Sequence, residues 1–336
     1  MLEILEPIRI KNVDFKNRVV MAPMVPFGMP IQPSGSMSDK VLQHYLQRAS
    51  NGMGLIITQA FSVTSRKKHD GGIGVYSDDH KAYLKTLTKV YHAEGTRIFV
   101  QLAYPSAGFH RGDSINDLSE YDIKTIKDEF VYAAKLCKEA GCDGIELHGA
   151  HGFFLNIMAS SLANKREDQY GGDLDGRLRL VKNIVEEIRT FADEPFIISY
   201  RMGWNGSLEN DIRMAQALER GGIELLHISS GIPAVRKMEI PDEFFFNEIV
   251  YTGIQIKKNV SIPVIVVNDI RTLSRGNYLI ENGLCDFAAY GRPFLADAAF
   301  MTTSLNNCDY EPCLRCKTCQ WFINGEKCPA KINGVG

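Results

Sequence analysis

The stretch 139-EAGCDGIELHGAHGFFLN-156 holds one complete structural repeat. Upstream, Ile123–Ala140 has the apolar spacing of an amphipathic helix. Gly141 fits the left-handed cap that ends such a helix, and Gly144–Leu147 is a short apolar, β-rich run that turns at once into loop. Working outward, the same join recurs at ERGGIELL (219–226) and ENGLCDFAA (281–289). Eight such runs can be counted: Arg18–Met21, Leu55–Thr58, Arg97–Leu102, Gly144–Leu147, Phe196–Tyr200, Leu225–Ile228, Val264–Val267 and Phe287–Ala289. Helical periodicity lies between them at Asp39–Ser50, Asp79–Ala93, Leu178–Phe191, Leu208–Arg220 and Leu273–Asn282. Eight βα units predict an α/β protein of the (β/α)8, or TIM-barrel, class, whose usual length of about 250 residues leaves room for insertions and a tail. A doubly wound sheet would open with a GxGxxG turn after its first strand; here that place reads MAPMVPFG (21–28).

The chain has 336 residues, 45% hydrophobic and 23% charged, which excludes fibrous and disordered classes. With 38 Lys+Arg against 40 Asp+Glu, nothing draws it to nucleic acid or to an anionic membrane surface. No apolar run approaches the roughly 20 residues of a membrane helix, and the N-terminus has no signal-peptide pattern, so a cytoplasmic location is expected. Five of the eight cysteines fall within the last thirty residues. The expected division is therefore a barrel over 1–306 and a Cys-rich extension over 307–336.

In such a barrel, chemistry gathers at the C-terminal ends of the strands. Those positions hold Ala22, Pro23 and Met24; Gln59 and Ala60; Gln101; His148 and His151; Arg201; Ser229, Ser230 and Gly231; Asn268 and Asp269; Gly291 and Arg292. Two histidines three residues apart suit a donor pair for an oxyanion, a metal site with a third ligand such as Glu146, or a structural role. Arg201 ends the apolar strand FIISYR and needs an anionic partner there. Asn268, Asp269, Gly291 and Arg292 sit after strands seven and eight, where barrels bind phosphate.

Taken in order, NRVVMAPM, GLIITQA, the QL at 101–102, GCDGIELHGAHGFFLN, NKREDQYGG, LHISSG, IPVIVVNDIRT and YGRPFLAD resemble the old yellow enzyme family of FMN-dependent ene-reductases, over residues 1 to about 300. The resemblance implies FMN as cofactor and NAD(P)H as reductant. It implies that Pro23 and Met24 line one side of the flavin ring, with backbone near Met24 and Ala60 meeting its polar edge. Gln101 would bond the pyrimidine part, Arg201 would face N1/O2, and Gly231 would lie among the cofactor contacts of strand six. Asn268, Asp269, Gly291 and Arg292 would hold the 5′-phosphate. His148 and His151 would bind the oxygen of a small unsaturated substrate, so that hydride leaves N5 for an activated C=C bond. This sequence departs from the family at Phe153, where a proton-donating tyrosine is usual, and Tyr104 is the candidate replacement acid. It departs again at Val25, in place of a Thr or Cys at the flavin O4, and at Asn268-Asp269, in place of a glycine pair. A homo-oligomer is expected.

The tail reads PCLRCKTCQWFINGEKCP, with Cys313, Cys316, Cys319 and Cys328 as CxxCxxC, eight residues, then CP. Four thiols at this density point to a metal site, with Cys308 outside the pattern. The resemblance to the dienoyl-CoA reductase branch of the family implies a 4Fe–4S cluster, with structural zinc as the alternative and a separate reductase as a possible electron donor. Two other functions fit the same residues: a flavin-dependent oxidation or demethylation of an amine, and a non-catalytic flavin electron-transfer module.

Overall fold

Eight parallel strands pair in a ring. The computed structural model describes residues 2–66, 72–105, 114–192, 195–232 and 238–332, with backbone only for 331 and 332. The ring strands are β1 (Val19–Met21), β2 (Leu55–Ile57), β3 (Arg97–Ala103), β4 (Gly144–Gly149), β5 (Ile197–Trp204), β6 (Leu225–Ser230), β7 (Val264–Val266) and β8 (Phe287–Tyr290). Each pairs with the next, and β8 closes on β1 with Ala288 opposite Val19. Seven helices lie outside: α1 (Asp39–Ala49), α2 (Lys81–Ala93), α3 (Glu120–Glu139), α4 (Leu174–Arg189), α5 (Leu208–Arg220), α6 (Glu248–Lys257) and α7 (Leu273–Glu281). The chain is thus a (β/α)8 barrel. Among the described residues, no helix is long and apolar enough to cross a membrane.

Strand alternation divides each strand between two cores. One set of positions, including Val19, Met21, Ile56, Ile98, Ile145, Ile198 and Leu226, packs in the layer shared with the helices. The alternate set, including Val20, Leu55, Ile57, Phe99, Ile197, Leu225, Ile265 and Phe287, forms a separate apolar cluster inside the ring. An N-terminal hairpin, Ile8–Ile10 with Val13–Phe15, joins that inner cluster. Phe15, fully buried, sits edge-on to Phe99 at 6.2 Å and to Phe287 at 5.3 Å, and contributes about 1.5–3 kcal/mol by leaving water.

The inner face changes chemistry on one side only. Along β7, β8, β1 and β2 it stays apolar through Val267, Ala289, Ala22 and Ile57. Along β3 to β6 it turns polar: Phe99 gives way to Gln101, Gly144 to Glu146 and His148, Ile197 to Ser199 and Arg201, and Leu225 to His227 and Ser229. The register keeps these together, with Gln101 opposite Glu146, His148 opposite Arg201, and Arg201 opposite His227. A half-polar, half-apolar bowl results.

All eight expected strands are present, and five of the six expected helices lie within a residue or three of their expected bounds. The sixth, α4, starts four residues before the expected Leu178, because the Asp173 carboxylate caps it by accepting from the Gly176 N–H at 2.8 Å. Helix α6 went unrecognised in the sequence. EIVYTGIQIK is apolar on most sides and rich in β-branched residues, so it carries no helical stripe. It is buried rather than amphipathic, and a Cβ on its Gly253 would lie 2.6 Å from Val266 Cγ1. The Phe244–Phe246 run packs there too: Phe244 meets Tyr251, while Phe246 meets Tyr278 and takes the Arg275 guanidinium over its face at 4.5 Å.

The tail does not hang free. After α8 (Phe300–Asn306) it crosses back to the bowl, where Gly325 N–H donates to the Phe27 carbonyl at 2.9 Å. Trp321 meets His44 edge-on at 5.9 Å and is 4% exposed.

Candidate active site

A cavity of about 710 Å³ opens at the C-terminal ends of the strands. Its walls bring together Pro23, Met24, Ala60, Gln101, His148, His151, Arg201, Asn268, Asp269, Gly291 and Arg292, all singled out in the sequence. The tail adds Cys313, Arg315, Cys319, Trp321 and Phe322. Those tail residues went unassigned to the site because nothing in their local pattern says that the chain returns.

The polar floor is a connected network. Gln101 Nε2 donates to Glu146 Oε1 at 2.7 Å, which leaves the Gln101 carbonyl oxygen as the amide's acceptor. Glu146 Oε2 meets His227 Nδ1 at 2.8 Å. Arg201 Nη2 donates to Ser229 Oγ at 3.2 Å, and Ser229 Oγ meets His151 Nε2 at 2.8 Å. Arg201 only donates, so Ser229 Oγ accepts from it and uses its hydrogen or its second lone pair toward His151 Nε2. Burial pulls the Arg201 pKa down to about 10, while the nearby Glu146 carboxylate opposes that fall. Its Nε, buried, has no hydrogen-bond partner among the described residues. A buried guanidinium N–H without an acceptor is a position waiting for an anion or a carbonyl.

His148 and His151 lie on the same wall with ring centroids 5.2 Å apart. The Ala150 N–H donates to His148 Nδ1 at 3.4 Å, so a neutral His148 carries its proton on Nε2. His151 has φ 59°, a left-handed turn that swings its ring back over the barrel end, and its backbone N–H donates to the Ser230 carbonyl at 2.9 Å. Although the residue is open to the cavity mouth, its imidazole is held well below the usual histidine pKa, first by desolvation and then by Arg201 and His227. It is neutral near pH 7. Phe153 stacks on His148, with centroids 4.4 Å apart and planes at 34°.

The corner after β7 and β8 has unusual backbone. Asn268 and Asp269 have φ of 101° and 54°, the region a glycine pair would adopt freely. The Asp269 carboxylate turns sideways, accepting from Arg292 Nη2 at 2.9 Å and lying 3.5 Å from Arg271 Nε. Replacing Asp269 by Gly keeps the backbone turn and releases Arg292. FMN should then bind about 3- to 10-fold more tightly, as measured by flavin fluorescence on titrating the apoprotein. Weaker binding would mean that the carboxylate supports the phosphate corner.

Two expected residues stand elsewhere. Tyr104 is absent from the cavity wall among the described residues; it is 4% exposed, packs on Phe154 at 5.0 Å in the layer between strands and helices, and burial raises its phenol pKa. It lies on the outer face because Leu102 and Tyr104 share the strand side opposite to Gln101. Gly231 is likewise absent from the lining among the described residues. A Cβ there would come 2.4 Å from the Trp204 carbonyl oxygen, so its role is to let two strand ends cross.

The four tail thiols line one small cavity of about 20 Å³ with Arg292 and Trp321. All are free, and Cys313, half-buried, has its pKa raised by burial. Among the described residues, no three His, Cys, Asp or Glu side chains are gathered as a set that could hold a metal ion. The expected metal site is therefore not preformed, since the thiols surround a common space without converging on a point. The residue set as a whole fits FMN: an unmet buried guanidinium N–H, a carboxamide oxygen beside it, and an arginine-bearing corner in left-handed backbone.

Comparison with known proteins agrees. The profile of the NADH:flavin oxidoreductase / NADH oxidase family matches residues 3–110 and 107–309. An NADPH dehydrogenase of Halalkalibacterium halodurans is 34% identical over 312 residues, covering 85% of this chain and 89% of that protein. An NADH oxidase of Thermoanaerobacter brockii is 32% identical over 317 residues, covering 86% of this chain but 48% of that protein, so the chain spans about half its length. The structure of an old yellow enzyme homologue from Zymomonas mobilis superimposes with a TM-score of 0.76 at 22% identity, covering 96% of each chain. With its barrel, its site and these relatives in agreement, this chain belongs to the NADH:flavin oxidoreductase / NADH oxidase family, the FMN-dependent NAD(P)H oxidoreductases of old yellow enzyme type.

Proposed function

We propose that this chain uses FMN and NAD(P)H to reduce an activated C=C bond of an enone, enoate or enoyl thioester. The observation that carries the reading is the pair of imidazoles, 5.2 Å apart, on the cavity wall next to a buried arginine, with His151 held neutral. FMN, when bound, supplies the hydride. The chain supplies the rest. Arg201 and the Gln101 carbonyl meet the pyrimidine edge, the Arg201 charge favouring the anionic reduced ring. Pro23, Met24 and Ala60 would form the apolar side, and Asn268, Asp269, Gly291 and Arg292 would hold the phosphate; all seven line the cavity. His148 and His151 each offer one N–H to the substrate oxygen, drawing electron density from its β-carbon. Phe153 has no proton to give and Tyr104 lies outside the cavity, so water entering through the open mouth delivers the α-carbon proton.

The absence of a phenol at Phe153 also favours a second reading, amine oxidation, which needs no such proton. Anaerobic mixing separates the two. If the chain is an ene-reductase, cyclohexenone restores the oxidised flavin spectrum of the reduced protein, and a tertiary amine leaves the oxidised protein unchanged. Bleaching by the amine without recovery by the enone would overturn the reading.

For the tail we infer a 4Fe–4S cluster on Cys313, Cys316, Cys319 and Cys328, fed by a separate reductase. A single zinc at about 2.3 Å from each sulfur requires four sulfurs in mutual contact, whereas a four-iron cube gives each thiolate its own corner. The spacing CxxCxxC, eight residues, then CP is what supports this reading. Iron and acid-labile sulfide in anaerobically purified protein support it; zinc, or no metal, overturns it.

A further inference from the structure

Among the described residues the network under the cavity contains one carboxylate, and two of the polar groups near it, Gln101 and Arg201, line the cavity. Glu146 is fully buried, with Gln101 Nε2 at 2.7 Å on one oxygen and His227 Nδ1 at 2.8 Å on the other. Both Glu146 hydrogen bonds are used, and both partners are themselves buried. This carboxylate supports the Arg201 charge through space, while the Arg201 hydrogen bond among the described residues goes to Ser229 rather than to Glu146. The inner-face neighbour on the next strand, Ser199, is buried with its hydroxyl unpartnered among the described residues, so nothing else there balances the charges. His148, Arg201 and His227 make up the next row, opposite one another across β4, β5 and β6.

We propose that Glu146 is a positioning residue with two effects on the cofactor: it turns the Gln101 amide so that its carbonyl faces the flavin, and it offsets the Arg201 charge that the N1/O2 edge experiences. The inference rests on FMN occupying the cavity as described above. Each effect follows from a named contact. With Nε2 held by Glu146, the amide is fixed about its last side-chain torsion and its carbonyl oxygen is turned away from the carboxylate, as an acceptor for the N–H of the flavin imide. A carboxylate close to a guanidinium in a low-dielectric interior reduces the positive potential the pair exerts on a third group. His227, through Nδ1–H, holds the second oxygen in place, which keeps the carboxylate from swinging to bond Arg201 directly.

Two variants separate charge from positioning. Glu146→Gln removes the charge while nearly keeping the shape. Glu146→Asp keeps the charge but is one methylene too short to hold both partners. The readouts are equilibrium properties of the FMN-loaded protein: the flavin reduction potential, and the dissociation constant for sulfite, whose flavin adduct carries its negative charge at the N1/O2 edge. FMN affinity is measured on the apoprotein. For Glu146→Gln the potential should become more positive and sulfite should bind about tenfold more tightly, the size expected for removing one neighbouring opposite charge. For Glu146→Asp both should stay within about threefold of wild type, while FMN affinity drops several-fold.

Unchanged sulfite binding and potential in Glu146→Gln would overturn the charge effect, and unchanged FMN affinity in Glu146→Asp would overturn the positioning effect. Failure of both variants to fold, read by circular dichroism, would mark Glu146 as a structural group and overturn the proposal. Wild-type apoprotein that binds no FMN would overturn the cofactor reading and this inference with it. Wild type that binds FMN beside variants that change nothing overturns this inference alone.

Discussion

Replacing Arg201 by Met should weaken FMN binding by about 10- to 100-fold and make the flavin potential more negative. The expected size is that of one hydrogen bond to a charged group, about 1.5–3 kcal/mol. Arg201 is 5% exposed and its Nε has no partner among the described residues, so its desolvation is offset by one bond to Ser229, by Glu146 at a distance and by whatever occupies the cavity. Met preserves the packing of the stem. Apoprotein stability should therefore change little or rise, because removing an uncompensated buried charge relieves the fold. That combination of a more stable apoprotein and a weaker holoprotein is the signature to look for. Calorimetric unfolding of the apoprotein and fluorescence titration with FMN measure the two halves. A large loss of apoprotein stability would mean that Arg201 is a structural group rather than a ligand for flavin.

His148→Ala should lower kcat for enone reduction by about 10²–10³-fold, the usual loss on removing one preorganised oxyanion donor. FMN binding should stay near wild type, since the proposed function gives His148 to the substrate and the cofactor contacts to Arg201, Gln101 and the corner after β7 and β8. The neutral state of His151 adds a pH signature. Its pKa lies well below 6.5, so it gains a proton only in acid, and raising the pH from 7 to 9 changes neither its charge nor its N–H. The rate of the oxidative half-reaction should show no histidine inflection across that interval in stopped-flow traces. An inflection near pH 7 would mean that a cationic imidazole carries the reaction. The Phe153 ring stacked on His148 makes the alanine variant a stringent test, because the neighbouring ring can tip into the vacated space and an alternative donor cannot.

Much of the site could be read from sequence because strand ends are local features. The run GIELH places His148 one residue past an apolar strand, and strand alternation alone puts Glu146 on its side. Pro23, Gln101, Arg201 and Arg292 follow in the same way, and all four line the cavity. Tyr104 shows where that logic needs one more step. It stands where a QL-x-H pattern would put a histidine, yet an odd separation of three from Gln101 along an extended strand sends it to the other face, against Phe154. The Glu146–His227 contact joins residues 81 apart in sequence, and neither position carries a motif that names the other.

By itself the sequence determined the barrel, because eight short apolar runs joined by capped helices leave few other ways to bury both faces of a parallel sheet. It also determined which strand ends carry polar chemistry, since period and position along a strand are properties of consecutive residues. Only the tertiary structure decided which polar groups meet. The ring closure sets Gln101, Glu146, Arg201 and His227 side by side, and the returning tail places Cys313, Arg315 and Trp321 on the cavity wall. Those contacts depend on strand register and on the path of a segment about 300 residues downstream of β1, and neither distance nor direction across space is written in the order of residues along the chain.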